Sequence, residues 1–403
     1  MRTQTIVILG YGQRGKIYAD YALNHPDEFK VGAIVDTDSS RRELAASKHS
    51  CPIFSCYKDF LQANIPADIV AVATQDNDHK EHAVACMEKG YDLLLEKPIA
   101  NSIEDCEAIY QASVKYNRKV IICHVLRYTP FYRKIKEIID SGLLGDIMTV
   151  NMSENVGYYH QAHSFVRGPW RSSEQACPMI VAKCCHDLDI LRWLIGEKCE
   201  EVSSMGSLSF FREENAPQGS TKYCSDCKCT DCAYRAKTLY DEYKWMRGYF
   251  CSNVENDEDA NNKLRHSQYD RCVFRCDNDV VDHEVSIFRF AKNITAMHTM
   301  TAFSKEIYRD IKVHGTKAEL VGVMEKHILE VRIFGGETIT YDFSNANVSG
   351  NHGGGDNGLM HALYLERNGA PTEGTTYVDV SIDSHRMAFG AERSRVTGKT
   401  LKI

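Results

Sequence analysis

Three glycines, a lysine and a histidine carry the chemistry that is legible first. The segment GYGQRG sets Gly10, Gly12 and Gly15 at the spacing G-x-G-x-x-G. The run TIVIL precedes it, apolar and rich in β-branched residues, and a helix-prone stretch follows. Strand, glycine turn and helix in that order make a phosphate cradle. The first glycine closes the turn, the second lets a pyrophosphate approach, and the third allows close helix–strand packing. Around them, Tyr11, Gln13 and Arg14 present backbone at a helix N-terminus, where amides hold phosphates. Asp36 ends the next apolar run, KVGAIVD, where a carboxylate grips ribose hydroxyls. A 2′-phosphate would meet like charge there, so NAD is favoured over NADP. Arg41 and Arg42 nearby are what speaks for NADP.

A second group of residues falls where a substrate would sit. LLLEKPIA puts Glu96 and Lys97 at the end of a strand, and ligands bind outside the carboxyl ends of strands in parallel sheets. AKCCHDLDILRW holds Lys183, His186 and Asp189. Spacing of three places Lys183 on the helical face of His186. His186 reads as a proton carrier or substrate ligand, with Asp189 as its orienter. The plainer alternatives are a core histidine bonded to Asp189 and a lysine whose stem packs while its tip meets solvent. HVLRYTPFY sets Arg127 and Tyr128 where the chain passes between domains. GYYHQAHSFVRGPWR gathers Tyr159, His160, His163, Arg167, Trp170 and Arg171: aromatic faces for sugar rings, and cations or imidazoles for hydroxyls and acids. NHGGGDNGL offers His352 and Asp356 on a glycine-rich loop, which reads equally as a connector.

The elements that must position these groups follow from periodicity. Up to about residue 125, buried apolar strands (TIVIL, KVGAIVD, ADIVAVAT, YDLLLEKP, KVIICHV) alternate with helices near 16–23, 38–47, 79–89 and 103–116. That alternation specifies a doubly wound parallel sheet, an α/β Rossmann domain over 1–125. From 126 to 403 the reading is an α+β domain. Its helices are expected at 130–141, 178–195 and 379–395. Strands of period two make a large open, mostly antiparallel sheet.

Composition bounds the rest. The chain has 403 residues, enough for two domains, with 43 % hydrophobic and 26 % charged residues and a net charge of −7. An acidic balance argues against nucleic acid or an anionic membrane as the main partner. No apolar run approaches the roughly 20 residues of a membrane span. The expected location is the cytoplasm. There, most of the sixteen cysteines are expected to be buried thiols or metal ligands rather than disulfides.

Four of those cysteines stand apart. YCSDCKCTDCAY spaces Cys224, Cys227, Cys229 and Cys232 as two C-x2-C pairs inside a polar insertion, 215–276. Each pair can present two thiolates to one tetrahedral ion, which makes a structural zinc the leading reading. The pairs lie unusually close together, so Cys251, Cys272 or Cys276 can replace one member. Free thiols and an iron–sulfur cluster are the alternatives.

Taken in order, GYGQRG, Asp36, Ala73–Thr74 with His79 downstream, EKP and HDLDILRWL resemble the Gfo/Idh/MocA oxidoreductase family over nearly the whole chain. The resemblance implies NAD(P)-dependent redox chemistry on a sugar, a polyol or a sugar-derived acid. It implies that Gly10, Gly12, Gly15 and Asp36 hold the dinucleotide. Thr74 and His79 would lie along it, and Glu96 and Lys97 would sit beside nicotinamide and carbinol. It further implies a homodimer or homotetramer built through the C-terminal sheet. Relatives often carry Asp four residues before the histidine; here that position is Ala182, with Lys183 next to it. This departure keeps open an NAD-dependent glycosidase working by transient oxidation; a third reading is a non-catalytic NAD-binding sensor, against which Lys97 and His186 argue.

Overall fold

The computed structural model describes residues 1–251, 254–344, 352–370, 372 and 374–403. Asn351, at the start of the glycine-rich segment, lies outside them. Two sheets organise the chain. The first contains β1 (Gln4–Leu9), β2 (Phe29–Val35), β3 (Ile53–Phe54), β4 (Ile69–Val72), β5 (Asp92–Leu95) and β6 (Val120–Ile122). It is parallel throughout, in the order β3-β2-β1-β4-β5-β6. This is the doubly wound order, whose strand sequence reverses between β1 and β4 and leaves a crevice there. Its strands are buried on both faces, which is why they read as continuous apolar runs rather than alternations.

The second sheet has nine strands: β7 (Ile147–Asn155), β8 (Cys199–Ser207), β9 (His283–Phe290), β10 (Thr295–Thr301), β11 (Tyr308–Gly315), β12 (Ala318–Val323), β13 (Ile328–Ile333), β14 (Thr338–Asp342) and β15 (Leu401–Lys402). The order is β14-β13-β12-β11-β7-β10-β9-β8-β15. Only β7 and β10 pair in parallel. One face is dry: Val150, Met152, Val202, Phe288, Phe290, Ile311 and Val313 pack on the helices Pro130–Asp140 and Cys185–Ile195. This is the α+β domain with a large open sheet that the alternation specifies.

Three local features differ from the reading by periodicity. The expected helix over 178–195 is two, Met179–Ala182 and Cys185–Ile195, interrupted at Lys183 and Cys184. The glycine-rich segment does not stay a loop. It enters the helix Gly355–Arg367, which packs Leu359, Met360 and Leu363 against the first sheet. The last helix runs Val378–Thr397 and touches both cores, through Val378 and Ile382 on one side and Met387 and Ala388 on the other. Among the described residues no helix is long and apolar enough to cross a membrane.

One buried carboxyl makes stability depend on pH. Glu284, on β9, points inward and is 2 % exposed. It accepts from Ser204 Oγ at 2.7 Å, and among the described residues no cation forms an ion pair with it. Burial therefore raises its pKa to about 7. Between the ordinary carboxylate range and pH 7 the folded chain holds a proton that the unfolded chain releases. Stability thus declines as pH rises through that window. In Glu284→Gln this component should vanish, and the variant should be more stable than the parent at pH 8 but not at pH 5. Urea titrations at the two pH values check it.

Candidate active site

A cleft of about 950 Å³ opens at the crevice between β1 and β4 and runs to the second domain. Its floor is the turn after β1. Gly10 has φ +96°, open to glycine but strained for other residues, and a Cβ there would meet Ala73 O at 2.4 Å. A Cβ on Gly15 would meet Gly10 O at 1.9 Å, so this glycine is needed for packing and sits beneath the cleft. At Gly12 the nearest atom to a Cβ is 3.8 Å away, which leaves open space above the backbone. The helix Gln13–Asn24 starts directly after it. These features fit a pyrophosphate seated over Gly12 at a helix N-terminus. Asp36 closes this end, accepting the amides of Tyr11 at 2.7 Å and Asp38 at 2.8 Å. Arg41 lies 3.7 Å from it.

At the other end stands the carboxyl terminus of β5. Glu96 is buried, and burial alone would raise its pKa. Arg14, donating from Nε at 2.6 Å, and Tyr18 outweigh burial and hold the carboxyl below its usual range. Arg14 also reaches Asp356 at 2.7 Å, so the glycine-rich segment is tied to the cradle. Asp356 in turn holds His352 Nδ1 at 3.0 Å at the cleft wall.

Lys97 follows Glu96 and enters the cleft. Its Nζ donates to Ala182 O at 3.1 Å. This contact goes with the helix break. Helical bonding resumes from Cys184 O, which accepts from Asp187 N at 2.9 Å and Leu188 N at 3.0 Å, and Ala182 O turns to the lysine instead. His186 lines the same wall with Nδ1 buried and unpartnered. Burial, and then the charge of Lys97, push its pKa well below the usual histidine value, so the ring is neutral at physiological pH.

Lys183 also reaches the cleft, but not as one face of a continuous helix. Its Nζ lies 3.2 Å from Glu154 Oε1, a carboxylate on β7 with no exposure. Glu154 is shared with Arg309, whose Nε donates to Asp187 Oδ1 at 2.8 Å. Lys183 is thus one end of a buried ionic chain, Lys183–Glu154–Arg309–Asp187. Trp170 lines the wall opposite, and a side chamber of about 410 Å³ continues past His160, Lys183 and His352.

The structure therefore brings together Gly10, Gly12, Gln13, Arg14, Asp36, Thr74, Glu96, Lys97, Trp170, Lys183, His186 and His352. Other candidates lie off the cleft. The Tyr11 ring is buried against His49. His79 is buried beneath the EKP turn and bonds Pro98 O at 2.9 Å, so it supports the turn rather than lying along a ligand. Asp189 does not orient His186. Both its oxygens are taken by Arg127, at 2.6 Å each, and His124 Nδ1 lies at 2.8 Å. Arg127 is consumed by the same pair, and Tyr128 bonds Thr376 in the core. Tyr159 stacks on Tyr243, His163 bonds Tyr240 OH at 3.0 Å, and Arg167 is fully buried; all three pack the insertion on the domain.

Besides His160, which the aromatic cluster offered, two other parts of the wall, at Asp76 and in the insertion, are not marked by sequence spacing. Asp76 comes close to Lys97 with Oδ2 buried and unpartnered, and burial raises its pKa. His160 lines both cavities. Gly248, Tyr249, Gln268 and Tyr269 reach in from the cysteine-rich insertion. The four cysteines read as a zinc set do not converge: among the described residues the groups with three donors within 4.8 Å are His124–Cys185–His385 and Cys184–Asp187–His298. In the first, His385 Nε2 already accepts from Ile99 N at 2.9 Å.

Comparison with known proteins agrees with this geometry. Residues 4–124 match the model of an oxidoreductase family with an NAD-binding Rossmann fold, and 132–321 match the Gfo/Idh/MocA C-terminal domain. YteT of Bacillus subtilis (strain 168), named as a candidate oxidoreductase, is 25 % identical over 84 % of this chain and 82 % of its own length. Inositol 2-dehydrogenase 2 of Saccharopolyspora erythraea is 29 % identical, over 49 % of this chain and 55 % of its own. Among solved structures, a levoglucosan dehydrogenase in complex with NADH and levoglucosan superposes with a TM-score of 0.74 at 16 % identity, covering 100 % of this chain and 99 % of that one. The WlbA dehydrogenase of Chromobacterium violaceum, in complex with NADH and UDP-GlcNAcA, gives 0.68 at 16 % identity, covering 100 % and 96 %. A glycine cradle under an acidic residue, a lysine and a neutral histidine at its far end, and matches over both domains lead to one conclusion: the chain belongs to the Gfo/Idh/MocA family of oxidoreductases and is an NAD-binding enzyme.

Proposed function

We propose that the protein is a dehydrogenase or reductase acting on a carbinol or ketone of a sugar, polyol or sugar-derived acid. The convergence of Lys97 and His186 at the far end of the nucleotide cradle carries this reading. NAD supplies the redox step, taking up or returning a hydride. The chain's residues do the rest. The amides after Gly12 hold the pyrophosphate, and Asp36 accepts the ribose hydroxyls. Lys97 Nζ holds the reacting oxygen. His186, neutral and with a free lone pair, takes the hydroxyl proton on oxidation and returns it on reduction. Trp170 gives a face for a sugar ring, and His160, Lys183 and His352 offer donors to its other hydroxyls or to a carboxylate. The named substrates of the relatives, inositol, levoglucosan and a UDP-sugar acid, support the substrate class.

A panel of sugars, polyols and sugar acids with NAD, followed by nicotinamide absorbance, tests the reading. Stoichiometric NADH with one or a few panel members is expected. Release of free sugar from glycosides without NADH would instead point to the redox-neutral glycosidase. A silent panel with tight NAD binding would point to the sensor. Buried free thiols such as Cys86, Cys106, Cys177 and Cys185 fit a reducing, cytoplasmic setting.

The same reading includes a homo-oligomer formed through the open sheet. On its outer face Met205 and Val285 are neighbours in register, as are Ile287 and Met297, and all four are exposed. Contiguous apolar side chains on one face favour a covered state. Ile287→Lys should shift the chain toward the monomer, as measured by light scattering.

A further inference from the structure

The insertion holds a buried cation that its acids do not balance. Arg167 is fully buried, and among the described residues no carboxylate pairs with it. Its Nε donates to Arg271 O at 2.7 Å and its Nη2 to Tyr234 O at 2.7 Å. Nη2 also reaches Cys224 Sγ at 3.6 Å, while Nη1 is buried with no partner. Arg235, with a buried and unpartnered Nε, faces Cys227. A guanidinium buried without a countercharge is costly, and the thiols of Cys224 and Cys276 lie near this one.

Four thiols are placed to supply the countercharge. Tyr223 and Arg271 form an antiparallel bridge, and Cys272 N donates to Lys222 O at 2.9 Å. In such a pairing the residues next to the bridge, Cys224 and Cys272, share the opposite face. The turn Cys224–Asp226 folds Cys227 back onto Cys224, whose carbonyl accepts Cys227 N at 3.2 Å. Cys227 Sγ then accepts the amide of Cys229, two residues on, at 3.5 Å. Amides aimed at sulfur from two residues downstream stabilise thiolate ligands. Cys229 Sγ donates to Gln218 O at 3.5 Å at the exposed end of the turn and also meets the Cys227 thiol.

We propose that Cys224, Cys227, Cys232 and Cys272 form a four-thiolate site for a tetrahedral soft divalent metal, zinc foremost, in which Cys272 takes the place that spacing alone gives to Cys229. A zinc with four thiolates carries two negative charges, which Arg167 and Arg235 balance. The sulfurs must draw together from their present spacing, a movement of side chains in a partly exposed turn. The ion would clamp the outgoing chain at Cys224 to the returning chain at Cys272. That clamp closes the segment whose Tyr249, Gln268 and Tyr269 line the cleft.

The test is metal analysis of the full chain purified under reducing conditions. About one zinc per chain is expected for the parent and for Cys229→Ser, falling to roughly a tenth or less for Cys272→Ser. No zinc in the parent after growth with added zinc overturns the proposal. So does zinc retained by Cys272→Ser and lost by Cys229→Ser. Iron with labile sulfide in place of zinc also overturns it. If Cys272→Ser fails to fold, cobalt(II) loaded into the parent decides: strong thiolate-to-cobalt charge-transfer bands support the site, and their absence rejects it. None of these readouts depends on the substrate, so the site can fail while the proposed activity stands.

Discussion

Lys97→Met is expected to lower kcat by about 10²- to 10⁴-fold, the range that a positioned proton-transfer or oxyanion-holding group contributes. Met keeps the length and apolar stem of the lysine and removes only the ammonium. In the structure that ammonium donates to Ala182 O at 3.1 Å and faces the cleft. The nucleotide cradle of Gly10, Gly12 and Asp36 lies at the opposite end and is untouched. NAD affinity should therefore stay within a few-fold of the parent, as read by quenching of protein fluorescence on titration. A parallel loss of binding and turnover would mean that Lys97 positions the cofactor rather than the reacting oxygen.

Asp189→Ala is expected to destabilise the fold by about 3–5 kcal/mol, the cost of leaving one partner of a buried pair uncompensated. Arg127 is 3 % exposed and Asp189 1 %. Burial alone would raise the Asp189 carboxyl, but Arg127 and His124 outweigh it and hold the carboxyl below the usual carboxylate range. Removing the carboxylate strands the Arg127 guanidinium between the helix Cys185–Ile195 and the end of the first domain. Denaturant unfolding measures the loss. Asp189→Asn, which can still accept a hydrogen bond, should cost less. This large effect arises from a residue that touches no ligand.

Asp189 also shows where sequence reading stops. HDLDILRW makes Asp189 look like the natural partner of His186, because residues three apart share a helix face. The partner it takes, Arg127, is 62 residues away in the chain. Periodicity describes one element, whereas ion pairs across elements depend on packing. The helix break is hidden for the same reason. Lys183 and Cys184 are ordinary helix residues, and what accompanies the interruption is a lysine from β5 at the Ala182 carbonyl. What was legible was local. The strand–glycine–helix cradle, Asp36 at the end of β2 and Lys97 at the end of β5 all follow from short-range chemistry. So do the two sheet types, because buried parallel strands read as apolar runs and half-covered strands as alternations. The two-residue strand Ile53–Phe54 is too short to leave a period. The insertion supplies cleft residues through folding back over a long polar stretch, and no spacing rule marks them.

In the proposed reaction a substrate carbon passes hydride directly to the nicotinamide at the Lys97–His186 end of the cleft. The most direct measurement uses the best substrate from the sugar panel, deuterated at its carbinol carbon, with NAD and the parent enzyme. One deuterium per turnover is expected in the isolated NADH, seen by mass spectrometry. NADH free of deuterium, with the label in water, would contradict it.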